Sequence, residues 1–147
     1  MENAADTTLL VLFIFVAFPI FFGALWIGIT LAMSFIGGWH QLAKHYAATG
    51  QPVGGRGFPR VTGMFGVASY KHVLTVITTD EGIHISNRAV FRFGHPPLFI
   101  PFSAIVYARR QTLFFWDYVA FEVGTPPIAS VRLPLQVFEG APVEIAA

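Results

Sequence analysis

Five histidines, the adjacent carboxylates Asp80-Glu81 and the cluster Gly54-Gly55-Arg56-Gly57 are the residues of this 147-residue chain whose types invite a chemical role. His40 and His45 are five positions apart, so a helix would not put both imidazoles on one face to share a metal ion. His72 and His84 fall within β-type runs, where an exposed or hydrogen-bonded structural histidine is the ordinary case. Asp80 and Glu81 sit in Thr79-Asp80-Glu81-Gly82, whose composition is that of a solvated hairpin turn: Asp80 can cap it and Gly82 can take positive φ. The glycine cluster has no Lys-Ser/Thr pair behind it and no strand before it, so it is not a phosphate cradle. Neither Gly-x-Ser-x-Gly nor His-Glu-x-x-His occurs. The absence of cysteine excludes disulfides and thiolate metal sites. These residues do not assemble into a reaction centre, and the expectation is a protein without catalytic activity, metal or cofactor.

The elements that would carry any site divide sharply near Trp39. From Leu9 to Ile36 the chain contains no Asp, Glu, Lys, Arg or His. As a helix that run would measure about 42 Å, more than the ~30 Å of bilayer hydrocarbon, so a tilted or kinked crossing fits. Glu2 and Asp6 precede it where a cleaved leader would carry positive charge. The predicted organisation is a tail over 1–8, a single transmembrane helix over 9–38, an interfacial turn and Gly/Pro linker over 39–60, and a β domain over 61–147.

No Lys or Arg precedes the span, whereas Lys44, Arg56 and Arg60 follow it, which places the N-terminus outside and the β domain in the cytoplasm, at the inner membrane of a bacterium. The formal net charge of +1 is the sum of −2 before the helix, from Glu2 and Asp6, and +3 after it. That is mild attraction to an anionic leaflet and not the footprint of nucleic-acid binding.

Within the span, Ala24, Gly28 and Ala32 recur every four residues, opposite Phe15, Phe18, Phe22, Trp26 and Ile29. A small-residue stripe lets a second helix approach closely, so it is a candidate packing face for another integral membrane subunit. No histidine lies between Leu9 and Ile36 to ligate haem or chlorophyll axially. Pro19 is expected to soften or kink the helix and Gly37-Gly38 to end it. The following WHQLAKHY is amphipathic, with Trp39, Leu42, Ala43 and Tyr46 on one side and His40 with Lys44 on the other. Trp39 and Lys44 are thus candidates for headgroup contact.

Beyond the linker, short β-type runs alternate with turn formers. The run Leu113–Val123, LFFWDYVAFEV, is apolar on both alternating faces. One side carries Leu113, Phe115, Val119, Phe121 and Val123; the other carries Phe114, Trp116, Tyr118 and Ala120. A single-layer sheet hides only one face, so the other must meet a second layer, a partner or the membrane surface. The stretch GHPPLFIPFSAI, Gly94–Ile105, is confined by Pro96, Pro97 and Pro101 to an edge or a loop. There Leu98, Phe99, Ile100 and Phe102 would be displayed at little entropic cost, flanked by Arg88, Arg92, Arg109 and Arg110.

TTDEGIHIS followed by PLFIPFSAI and the basic YARR resembles the hairpin, connecting loop and next strand of bacterial membrane-anchored PH-like domains. The resemblance covers about 30 residues. It implies a small, strongly bent antiparallel barrel closed by a C-terminal helix, serving as a binding module for lipids, peptides or proteins. The final QVFEGAPVEIAA departs from that pattern, being short and interrupted by Pro142. The fold class expected is therefore one transmembrane helix plus a small all-β domain, a PH-like barrel or β-sandwich. The function expected is that of an accessory subunit of a larger membrane complex, such as a respiratory or photosynthetic one. It would be held through Ala24, Gly28 and Ala32 and docked through Leu98, Phe99, Ile100, Phe102, Phe114, Trp116 and Tyr118. The alternative is a tethered sensor of anionic lipid headgroups, using Trp39, Lys44, Arg109 and Arg110.

Overall fold

In a computed structural model describing residues 2–146, the charge-free run forms one unbroken helix, α1 (Glu2–Gly37), long and apolar enough to cross a membrane. Its start takes in the segment expected as a tail, and there the Thr7 and Thr8 hydroxyls donate to the Asn3 and Ala4 carbonyls one turn back. α1 continues through Pro19 and stops at Gly37; the next residue, Gly38, takes φ 87°, the left-handed conformation that glycine tolerates at a helix end. A second helix, α2 (Trp39–Tyr46), follows at once.

Seven antiparallel strands come next: β1 (Arg56–Phe65), β2 (Ala68–Thr78), β3 (Gly82–Asn87), β4 (Leu98–Pro101), β5 (Ile105–Leu113), β6 (Trp116–Val123) and β7 (Ala129–Pro134). They lie in the order β4-β3-β2-β1-β7-β6-β5 and curl into a half-barrel. The curl has a local cause. Pairing between β1 and β2 shifts register around Arg60 and His72, and pairing between β5 and β6 shifts around Tyr107, each residue holding positive φ. Such bulges bend a strand and increase its twist. β1 begins at Arg56, so the last residues of the expected linker are strand; Gly57 and Pro59 are tolerated because they lie exposed before the bulge.

Alternate residues of each strand line the concave face, among them Phe65, Leu74, Ile83, Ile85, Phe121 and Leu133. The helix that covers this core is α2, from the N-terminal side, in place of a C-terminal helix: Trp39 and Leu42 are fully buried and Ala43 and Tyr46 pack beside them. The amphipathic face predicted for WHQLAKHY is present, but it meets the half-barrel instead of lipid. After β7 the chain makes one short turn, Leu135–Phe138, and further on Ala146 is bonded to the backbone of Ala108 and Arg110 along the edge of β5.

The strands have two distinct ends. The β1–β2 turn, the β3–β4 connection and the β6–β7 connection gather against the C-terminal half of α1. A Cβ on Gly66 would lie 3.1 Å from the Gly37 carbonyl, and one on Gly38 would lie 3.1 Å from the Ala129 Cβ. The β5–β6 turn lies at the other end of β6, about 24 Å from the β6–β7 connection.

Candidate functional site

Among the described residues no group of three or more His, Cys, Asp or Glu is placed to hold a metal ion. Asp80 and Glu81 form the exposed β2–β3 turn, where the Thr79 hydroxyl accepts from the Glu81 and Gly82 amides. His84 stacks on Phe99 of the neighbouring strand, with ring centroids 4.6 Å apart.

The most enclosed ionisable side chains are His95 and Tyr70, each 1% exposed. The His95 Nδ1–H donates to the Phe93 carbonyl at 2.8 Å, which leaves Nε2 to accept from the Tyr70 hydroxyl at 2.6 Å. Trp39 packs at an angle against Tyr70 and edge-on against His95, and donates its indole N–H to the Pro96 carbonyl at 2.9 Å. Burial lowers the His95 pKa, partly opposed by the hydrogen bond to Phe93, and burial raises that of Tyr70. Both are buried and bonded to one another. This is a structural staple fastening the β3–β4 connection to α2. Trp39, expected at headgroup depth, is therefore a core residue, because its large ring and donor are both satisfied inside the domain.

The proline stretch is strand β4, an edge as expected, but Leu98 and Ile100 are completely buried. Strand alternation is the reason: β4 pairs with β3, so every second residue faces the core, leaving Phe99 half-buried outside and Phe102 half-buried in the turn to β5. Leu98 and Ile100 are not available for docking.

The run LFFWDYVAFEV is not one strand but a hairpin, with Leu113 paired to Trp116 across a turn made by Phe114 and Phe115. Phe114 is 89% exposed and Phe115 completely so, and Phe114 adopts φ 57°, a conformation unusual for a bulky side chain. Behind the tip, Met64, Leu113, Trp116, Tyr118 and Arg132 border an apolar cleft on the outer face of β1, β6 and β7. Arg132 lies over the Tyr118 ring at 5.7 Å. Val119, Phe121 and Val123 face the core as their alternation predicts, while the opposite face stays open. The structure thus brings Phe114, Trp116 and Tyr118 together and adds Met64, and it moves Leu113 and Phe115, expected on the face of Val119, Phe121 and Val123, to the exposed tip because the turn at Phe114-Phe115 breaks the strand there.

Ala24, Gly28 and Ala32 are exposed, and a Cβ on Gly28 would meet nothing within 4 Å. The domain occupies the other side of α1, where Trp26 Nε1 donates to the Val90 carbonyl at 2.7 Å and the Ser34 hydroxyl donates to the Gly94 carbonyl. The small-residue stripe is therefore free for a second helix.

Of the basic candidates, Lys44 and Arg109 are exposed, and Arg110 is held 3.2 Å from Asp117. The Thr112 hydroxyl and Arg110 keep the Asp117 carboxyl below its ordinary pKa, the hydroxyl first. An exposed pair of this kind contributes little to stability, but it fixes the hairpin just behind its aromatic tip. Comparison with known proteins finds no family model, no curated protein and no solved structure that matches this chain.

Proposed function

We propose that the chain is a non-catalytic accessory subunit of a larger membrane protein complex, anchored by α1 and docked by its β domain, which is of the PH-like kind. The observation that carries this is the tip formed by Phe114 and Phe115, continuous with the cleft beside Trp116 and Tyr118. Exposed aromatic residues of this kind act as interface anchors, and the tip points to the end of the domain remote from α1, where the membrane holding that helix does not cover it. The open stripe of Ala24, Gly28 and Ala32 supplies a second contact, for an integral membrane subunit within the bilayer. Charge asymmetry around the helix favours the inner membrane, with the N-terminus outside and the domain in the cytoplasm. Sensing of anionic headgroups is the less favoured function, because Arg110 is already engaged by Asp117.

The test is the size of the particle that carries the chain after mild-detergent extraction, with mass spectrometry of co-migrating proteins. The wild type is expected in a large particle of constant composition, and Phe114→Ser with Phe115→Ser is expected to release it as a small one. Retention of the doubly substituted chain in the large particle, with release on charge reversal at Arg109, contradicts the reading.

A further inference from the structure

The β3–β4 connection lies along α1 at a height where the helix still has a charge-free surface. Trp26 donates to Val90 and stacks on Phe91 at 5.2 Å, and Ser34, two turns further, donates to Gly94. A Cβ on Gly94, at φ 70°, would lie 2.8 Å from the Leu31 side chain. Between and beyond these contacts Ile29, Phe35 and Ile36 remain exposed on the remaining sides of the helix. If this part of α1 stood in water, those side chains would be solvated; if it stays in lipid, the connection goes with it. The excess of the apolar run over the hydrocarbon thickness, about 12 Å, equals the length of helix from Trp26 to Ser34. A tilted α1 accommodates that excess with the connection lodged in the angle between helix and membrane surface.

The connection is built for such a place. Val90 is 55% and Phe93 44% exposed, with the exposed Arg88 and Arg92 beside them. Irregular backbone is tolerated near hydrocarbon only when its polar groups are satisfied within the protein. Here the carbonyls of Arg88, Ala89 and Arg92 accept from backbone amides, that of Phe93 from His95 and those of Val90 and Gly94 from α1 side chains, whereas the Phe91 carbonyl and the amides of Ala89, Val90, Phe93 and Gly94 have no partner among the described residues, which suits the hydrated headgroup boundary and not the hydrocarbon interior. We infer that Arg88–Gly94 is a second membrane contact: Val90 and Phe93 enter the boundary between headgroups and acyl chains of the bilayer that α1 spans, while Arg88 and Arg92 reach the phosphates. This rests on the reading that α1 crosses the bilayer.

The absence of cysteine makes single-site labelling clean. The full chain carrying Val90→Cys, Phe93→Cys, Phe15→Cys or Phe115→Cys, each labelled with a fluorophore, is reconstituted into vesicles of phosphatidylcholine and phosphatidylglycerol. Quenching by nitroxide placed shallowly on the acyl chain is compared with quenching by aqueous iodide. Labels at positions 90 and 93 are expected to lose most of their fluorescence to the lipid nitroxide and little to iodide, with the label at 115 showing the reverse. If 90 and 93 behave like 115 while 15 is quenched from the lipid, the inference fails and the span stands. If 15 also escapes the lipid nitroxide, the span fails and the inference with it. Val90 and Phe93 are tested separately, so misfolding of one variant leaves the other to decide.

Discussion

His95 and Phe114 carry opposite kinds of cost. His95 is buried as a neutral base between Tyr70 and the Phe93 carbonyl, and burial holds its pKa below the ordinary 6.5. Above that value the imidazole is neutral in both folded and unfolded chains, so its contribution is complete. As pH falls below it the unfolded chain takes up the proton first, and stability is lost until the pH has passed the folded pKa. Thermal unfolding of the full chain in detergent is therefore expected to occur at lower temperature at pH 5 than at pH 8. His95→Ala, which also strands the Tyr70 hydroxyl, is expected to cost about 1–3 kcal/mol at pH 8 and to reduce that pH dependence. His84, shifted in the same direction by burial, would maintain the remainder. An unchanged pH dependence in the variant would remove His95 from this role. Phe114 instead sits in the left-handed region with its ring in solvent. Relieving that conformation with Phe114→Gly is expected to stabilise the domain by about 1 kcal/mol in denaturant unfolding while weakening its assembly, the pattern of a residue kept for display. A loss of stability would mean that the ring packs where it is now seen exposed.

At the scale of elements, α1 presents two surfaces that substitutions separate. Gly28→Leu adds a side chain where nothing lies within 4 Å, so the domain is expected to stay docked and only association with another helix to be lost. Ser34→Ala removes the donor to the Gly94 carbonyl in a fully buried position and is expected to loosen the domain at a cost of about 1–3 kcal/mol, with helix association retained. Limited proteolysis of the β3–β4 connection reads the second effect, and helix cross-linking reads the first. The sequence made α1 legible because a charge-free run this long has few other fates, and Gly37-Gly38 marked its end. The Thr79–Gly82 turn was equally plain from its residue types. The β5–β6 turn was not, because Phe114-Phe115 contains none of the residues that normally make turns, and alternation continues unbroken through it. The inward side of Leu98 and Ile100, and the burial of Trp39, depend on which strand and helix meet in space. Local periodicity carries no record of those contacts.

For the whole molecule, the half-barrel places its two functional candidates far apart. One end of the strands is tied to α1 through Gly37, Gly38 and the β3–β4 connection; the other carries Phe114 and Phe115. On the proposed reading, the tip holds a partner away from the membrane while the helix holds another within it. Lipid sensing through Arg109 and Arg110 would require those residues on the membrane-facing end, whereas they lie on β5 behind the distal tip, where Arg110 is paired with Asp117. A photo-crosslinking residue at position 115, activated in intact cells, tests that arrangement most directly, with position 80 on the exposed β2–β3 turn as control. The account predicts one discrete protein adduct of constant mass from position 115, lost when Trp116 is replaced by Ser, and none from position 80. Adducts with lipid, or no discrete adduct from position 115 in cells where the chain is membrane-bound, would contradict it.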